Sequence, residues 1–220
     1  MRIFTSSWPR SRRTLASAAA VAAVVAAGGV GSASAASGHR LAERAATSST
    51  DLAPFTIVSH DFRDGGRLPV FTEYGGVDAA EVGCSGKNLA PELNWFNAPS
   101  GTAGYALLVN DMDAPLSGGW HHYVVYNIPG TATTLPGHGL HLYTEGATSW
   151  DVNGIPAVGW GGPCPPADGQ IHHYIFTLYA LSTATIPGSD LTYEGVLSAI
   201  TPYVVGSTVI IGTFHLPLSD

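Results

Sequence analysis

The stretch VNDMDAPLSGGWHHYVVYNIP, residues Val109–Pro129, decides how this chain is interpreted. It joins two runs of strand-forming residues through a short loop that carries two carboxylates, Asp111 and Asp113. If the backbone there is extended, these carboxylates point to one side, because alternate residues of a strand share a face. His121 and His122 follow as neighbours, so their rings face opposite sides of the next strand. The pattern predicts that one of the two histidines lines a pocket.

A second stretch, Gly159–Leu181, repeats this layout as GWGGPCPPADGQIHHYIFTLYAL. A loop rich in Pro and Gly leads to two adjacent histidines and then to a strand, on which His172 and Tyr174 share a face. We therefore expect each loop to deliver one histidine to a common space. A carboxylate beside an imidazole fixes its tautomer and raises its pKa, so the cluster is suited to holding a small anion. The alternative is that the histidines are packed strand residues and the aspartates are turn formers.

Short apolar runs bounded by turn residues predict a β-rich fold. The predicted strands are Phe55–Ser59, Tyr105–Asn110, His122–Ile128, Ile171–Leu181 and Val209–Phe214. One segment, Thr192–Thr201, has a helical pattern, with Thr192 as N-cap, Asp190 as a competing cap and Pro202 after it. Many strands with one or two short helices near the C-terminus indicate a mainly β fold, an antiparallel β-sandwich of two sheets.

Residues 1–35 have the layout of a secretory signal peptide. Four arginines precede an Ala- and Val-rich run, and Ala33-Ser34-Ala35 predicts cleavage after Ala35. The segment Ser11–Leu15, SRRTL, also fits a twin-arginine signal, although two arginines can simply supply the positive start of the leader. No cysteine lies near the cleavage site, so we expect a secreted or extracytoplasmic protein without a lipid anchor or a membrane span.

The remaining chain is strongly acidic. Residues 36–220 hold five basic residues against 16 acidic ones, a formal charge of −11. Such a surface repels phosphate backbones, which argues against a nucleic-acid partner. Residues 36–52 are small and polar and predict a flexible linker, and residues 53–220 have the length of one domain.

Two cysteines, Cys84 and Cys164, make up the whole thiol content. In an exported protein an even pair favours a disulfide, with two independent buried thiols as the alternative. Two cysteines are too few for a closed zinc site, and no spacing of His and Asp defines another metal site. We predict neither a metal nor a cofactor.

Five motifs occur in an order that resembles the phosphatidylethanolamine-binding protein family, in particular its bacterial branch, often called Raf-kinase-inhibitor-like. They are GKNLAPELNW (Gly86–Trp95), DMDAP (Asp111–Pro115), WHHYVVYNIP (Trp120–Pro129), GPCPP (Gly162–Pro166) and HHYIFTLYAL (His172–Leu181). The resemblance runs from Phe55 to the C-terminus, where LTYEGVLSAI and VIIGTF resemble the family's last helix and strand.

The resemblance implies a β-sandwich with a pocket for phosphate, phosphate-ester or phospholipid head groups. The ligand-binding residues that it implies are Asp111, Asp113, Ala114, Pro115, Trp120, His122, Pro165, Pro166, His172 and Tyr174. It places Cys84 and Cys164 near one end of the domain, and it suggests a cis peptide bond at Gly118-Gly119. Ala114-Pro115 is a second candidate, because cis peptide bonds are largely confined to X–Pro.

Three residues depart from the family pattern. Met112 stands where Pro is usual, Ala90 where Ser is common, and His173 where Arg is common beside the pocket. The change at His173 removes a basic group from the expected rim of the pocket.

The sequence is compatible with three classes of function. The first is a non-enzymatic binding protein for a small anion or head group, and the second is a hydrolase that uses the Asp/His cluster. The third is a protein-interaction or inhibitor protein, which leaves no local sequence signature. GCSGK at Gly83–Lys87 is no nucleophile elbow, since Lys87 stands in place of the second Gly, and no HExxH motif occurs. These absences favour binding over catalysis.

Overall fold

The computed structural model describes residues 53–76, 78–152 and 155–218. The predicted leader over residues 1–35 and the predicted linker over residues 36–52 lie outside these ranges.

Strands dominate the part of the chain that the structure describes. In order they are β1 Thr56–Val58, β2 Gly66–Arg67, β3 Leu93–Phe96, β4 Gly104–Asp111, β5 Trp120–Pro129, β6 Thr134–Leu135, β7 Thr144–Glu145, β8 Ala147–Val152, β9 Ile155–Val158, β10 His172–Leu181 and β11 Val204–Phe214. One α-helix, α1, spans Tyr193–Ile200, and 3₁₀ turns lie at Val70–Thr72 and Thr201–Tyr203. The prediction of a mainly β fold with a short helix near the C-terminus is confirmed.

Two sheets form the sandwich. The smaller has the order β1-β3-β6, and the larger has the order β2-β11-β10-β4-β5-β7. Neighbouring strands are antiparallel except at the edge of the large sheet, where β2 runs parallel to β11. Strands β8 and β9 add a two-stranded antiparallel ribbon.

Strand β4 is buried along its whole length, because both faces of the large sheet are covered there. Tyr105, Leu107 and Val109 pack in the core between the two sheets. Ala106 and Leu108 pack in a second core on the opposite face, beneath α1. A strand covered on both faces needs apolar residues at successive positions, which explains the unbroken run YALLV.

Helix α1 begins where the sequence predicts. The Thr192 hydroxyl accepts a hydrogen bond of 3.1 Å from the backbone N–H of Gly195, which satisfies a free donor of the first turn. Val196 and Ile200, four residues apart, are fully buried against the large sheet.

The expected cis peptide bonds are wrong, since all peptide bonds among the described residues are trans. The loop between β4 and β5 turns by other means. Around Pro115 the N–H of Leu116 donates to the carbonyl of Ala114 at 2.7 Å, and Gly118 and Gly119 have φ angles of 91° and 81°. A Cβ at Gly119 would lie 2.4 Å from the carbonyl oxygen of Asp111, so the tight return into β5 requires glycine there.

The Cys84–Cys164 disulfide is present, with a Cα–Cα distance of 6.0 Å, so that prediction is confirmed. It joins two loops that lie 80 residues apart in sequence. Cys164 directly precedes Pro165 and Pro166, so the bond also restrains that loop.

Removing the disulfide should destabilise the fold by relaxing this long loop in the unfolded chain. For a loop of this length the chain-entropy model gives on the order of 4 kcal/mol. Urea denaturation of Cys84→Ser/Cys164→Ser should show a clearly lower free energy of unfolding than the oxidised protein. The oxidised and reduced wild-type protein provide a second, sequence-matched comparison. Equal stability of all these forms would contradict the expectation.

Candidate ligand-binding site

A β-bulge in β5 sets the direction of the first histidine pair. Val109 of β4 lies opposite Tyr123 and Asn110 lies opposite His121, so His122 is an extra residue on β5. His121 stacks on Tyr193 of α1, with ring centroids 4.0 Å apart. His122 turns to the other side and is buried in the sandwich. The two rings therefore face opposite sides, as the sequence predicts.

Strand pairing brings the second histidine pair to the same place. Tyr174 of β10 lies opposite Asp111 of β4, and His172 lies two residues earlier on the same face as Tyr174. The Nδ1 atom of His172 is 2.7 Å from Oδ2 of Asp111, and both side chains are buried. The rings of Tyr174 and His122 pack edge to face, with centroids 4.9 Å apart.

These side chains line a cavity of about 190 Å³. Its lining consists of Asp111, Ala114, Pro115, Trp120, His122, Trp150, Cys164, Pro165, Pro166, His172 and Tyr174. Nine of the ten residues that the sequence suggested as ligand-binding are among them. That they bind a ligand stays a prediction.

Asp113 is the one suggested residue outside the lining. Its carboxylate accepts a hydrogen bond from the backbone N–H of His173 at 2.7 Å and lies 2.8 Å from Nδ1 of the same residue. Burial opposes ionisation, but the hydrogen bonds from His173 outweigh it and hold the pKa of Asp113 below its usual value. Asp113 thus ties the β4–β5 loop to the start of β10.

Trp150 of β8 is a cavity residue that the sequence analysis missed. Its ring stacks on Tyr74 at a centroid distance of 3.9 Å and meets Trp120 edge to face at 5.1 Å. No motif surrounds Trp150, and only the course of the β8–β9 ribbon brings it to the cavity.

His122 is held in one tautomer by the loop opposite. Its Nδ1 forms a short hydrogen bond with the carbonyl oxygen of Gly161, and the N–H of Gly161 donates to the carbonyl of His122 at 2.8 Å. Because a carbonyl can only accept, Nδ1 must carry the proton. Among the described residues, the hydrogen bonds of this ring engage only its Nδ1 atom.

Burial lowers the pKa of His122 to about 4, against a smaller opposing effect of the Gly161 carbonyl. His122 is therefore neutral at pH 7. The expectation that nearby carboxylates charge both histidines is wrong for this ring. The physical reason is burial, which outweighs the opposing effects of the Gly161 carbonyl and of Asp111, whose carboxylate hydrogen-bonds to His172 and not to His122.

The other polar groups have defined roles. Asp111 accepts hydrogen bonds on both oxygens, from the His172 ring and from the backbone N–H of Asp113 at 2.9 Å. Burial, with Asp111 and Asp113 nearby, raises the pKa of Tyr174 far above its usual value, so its hydroxyl remains a donor. No lysine or arginine occurs in the lining.

Both the sequence and the fold resemble those of known proteins. A family model described as phosphatidylethanolamine-binding protein matches residues 58–215. This chain belongs to the phosphatidylethanolamine-binding protein family. The UPF0098 protein YbcL of Escherichia coli is 38% identical over 146 residues, which are 64% of this chain and 76% of that protein. The crystal structure of E. coli YbcL superposes with a TM-score of 0.66 at 31% identity and covers 74% of this chain and 99% of that one.

Two further relatives belong to other bacteria. A Mycobacterium tuberculosis protein that carries the name lipoprotein LppC is 36% identical over 163 residues, 74% of this chain and 73% of that protein. A Chlamydia trachomatis homologue, CT736, has a TM-score of 0.61 at 25% identity, with 76% of this chain and 98% of that chain covered. Family membership in the UPF0098 branch, as the motifs indicated, is confirmed.

Two kinds of feature are missing from the described part of the chain. None of its helices is long and apolar enough to cross a membrane. In the same residues no cluster of three or more His, Cys, Asp or Glu side chains is placed to hold a metal ion.

The neutral state of His122 predicts a specific dependence of stability on pH. The pKa of the ring is 6.5 when unperturbed and about 4 in the fold, so the unfolded chain binds more protons between these values. Stability is therefore fully present above about pH 6.5 and falls as pH decreases towards 4, by about 3 kcal/mol from this ring alone. His122→Gln removes the titrating group, so urea denaturation should show a shallower fall than in wild type. Parallel pH profiles for the two proteins would contradict this account.

Proposed function

We propose that this protein is an exported, non-enzymatic binding protein for a small anionic ligand of the phosphate, phosphate-ester or phospholipid head-group class. The observation that supports this best is the meeting of the Asp111–His172 pair, the Tyr174 hydroxyl and His122 at one cavity. Charge-assisted hydrogen bonds are the strongest contacts that such groups make with an anion.

The size of the cavity supports a small ligand. About 190 Å³ is less than the volume of sites that enclose drug-sized ligands, and it suits a phosphate group with a short substituent. A phospholipid would place its head group inside and leave its acyl chains outside.

Several observations support a binding role over hydrolysis. The lining contains no serine or threonine, and its one cysteine, Cys164, is held in the disulfide. A covalent hydrolase needs an activated nucleophile beside a base. The family description also names binding rather than an enzymatic activity.

Export is supported from two directions. A disulfide is typical of oxidising compartments outside the cytoplasm, and a relative of 36% identity carries the name of a lipoprotein. The predicted leader over residues 1–35 would direct the chain into an export pathway. Mass spectrometry of secreted material should find an N-terminus near Ala36, whereas retention of the whole chain in the cytoplasm would contradict export.

Binding should depend on the polar groups of the cavity. Calorimetric titration of wild-type protein with phosphate, phosphoethanolamine and a lysolipid should give saturable binding of at least one of them. His172→Ala removes a charge-assisted hydrogen bond worth about 1.5–3 kcal/mol, so affinity should fall at least about tenfold. Tyr174→Phe removes a neutral donor and should have a smaller effect.

A histidine remote from the cavity supplies the control. His60 is exposed and pairs with Glu92, so His60→Ala should leave affinity unchanged. Unchanged affinity in His172→Ala, with a fold intact by circular dichroism, would contradict the proposed site. Turnover of a phosphate ester by wild type would favour the hydrolase instead.

A further inference from the structure

The cavity presents hydrogen-bond acceptors as well as donors, which is unusual for a site that takes an anion. His122 carries its ring proton on Nδ1, which donates a hydrogen bond to the Gly161 carbonyl. The ring atom left for a ligand is therefore Nε2, which has a lone pair. The ring is buried and lines the cavity. An ionised oxygen placed against this lone pair would be repelled, and the acceptor would remain unpaired.

We propose that the cavity selects a tetrahedral phosphate monoanion that still carries a P–O–H group, and that Nε2 of His122 accepts the hydrogen bond from this group. This inference rests on the proposed function and specifies its ligand. The shared chemistry covers a phosphomonoester and free dihydrogen phosphate.

The remaining groups complete such a ligand. The Tyr174 hydroxyl can donate to a second phosphate oxygen. The His172 ring also lines the cavity, with its Nδ1 atom turned towards Asp111. A single negative charge also suits the electrostatics. No lysine or arginine lines the cavity, and residues 36–220 have a formal charge of −11, so a dianion would meet little compensating charge.

The cavity would distinguish tetrahedral ligands by whether they carry an acidic proton, and not by their shape. A sulfate ester has the same tetrahedral form and no proton to donate at neutral or mildly acidic pH. A phosphodiester likewise has no P–O–H group. Covered by either ligand, the Nε2 atom of His122 would lose its contact with water and gain no partner. A buried polar group without a partner is costly enough to reduce affinity at least about tenfold.

Methyl phosphate, methyl sulfate and dimethyl phosphate test this directly when titrated into the full chain by calorimetry at one pH. About pH 5 is suitable, because a phosphomonoester has its second pKa near 6 and is then mainly a monoanion. All three probes then carry one negative charge. The pKa of His122 is about 4, so this ring is still mainly neutral.

The other titratable groups near His122 are the same in every titration. They are Asp111 on β4, His121 beside it on β5, and His172 and Tyr174 on β10. Because the pH is fixed, the free protein has the same protonation state in all three titrations. The affinity ratio therefore reports the P–O–H group.

We expect methyl phosphate to bind at least about tenfold more tightly than either methyl sulfate or dimethyl phosphate. Inorganic phosphate should behave like methyl phosphate if the shared P–O–H group decides, and a large preference for the ester would identify a phosphomonoester as the source. Equal binding of methyl phosphate and methyl sulfate would overturn the inference while leaving an anion pocket in place. Absence of binding by every probe would instead contradict the proposed function.

A variant of His122 gives an independent test. In His122→Gln the side-chain amide reaches the region of Nε2 and can turn its NH₂ group towards the ligand. The preference for methyl phosphate over methyl sulfate should then fall to near unity, while His60→Gln should keep it. A preference that survives in a folded His122→Gln protein would overturn the role given to His122.

Discussion

The two hydrogen bonds between Gly161 and His122 are the contacts on which the rest of the site depends. They join the loop after β9 to the bulge of β5, and they leave only one nitrogen of the His122 ring open to the cavity. The same loop carries Cys164, which the disulfide ties to Cys84, and the two prolines of the cavity wall. The loop thus sets both the shape of the cavity and the hydrogen-bonding character of one of its faces.

Strand register supplies the other half of the site. Tyr174 and Asp111 are direct partners across β10 and β4, and His172 precedes Tyr174 on the same face by the two-residue period of a strand. Asp111 can therefore reach the His172 ring without any distortion of the sheet. The result is a buried histidine–carboxylate pair in a cavity that contains no lysine or arginine among its lining residues.

Much of this arrangement could be predicted from local sequence, because it follows from local rules. Alternation placed His172 and Tyr174 together, turn residues bounded the strands, and Thr192 marked the start of α1. Resemblance to the family supplied the cavity walls at Pro165 and Pro166, which no periodicity would have indicated.

What the sequence did not give depends on contacts between distant segments. The neutral state of His122 follows from its burial and from the Gly161 carbonyl, which lies 39 residues further along the chain. Trp150 joins the cavity only because the β8–β9 ribbon folds beside it. The two expected cis bonds were wrong because two glycines with positive φ already make the turn. Residue type alone does not specify any of these outcomes.

The protonation of the His122 ring is the most direct test of this account. Nitrogen-15 NMR of the imidazole groups at pH 7 distinguishes a protonated ring nitrogen from one that carries a lone pair. We expect His122 to show a proton on Nδ1 and a free lone pair on Nε2, with the Nδ1 proton hydrogen-bonded to Gly161. A proton on Nε2, or protons on both nitrogens, would contradict the conclusion that this ring meets its ligand as a hydrogen-bond acceptor.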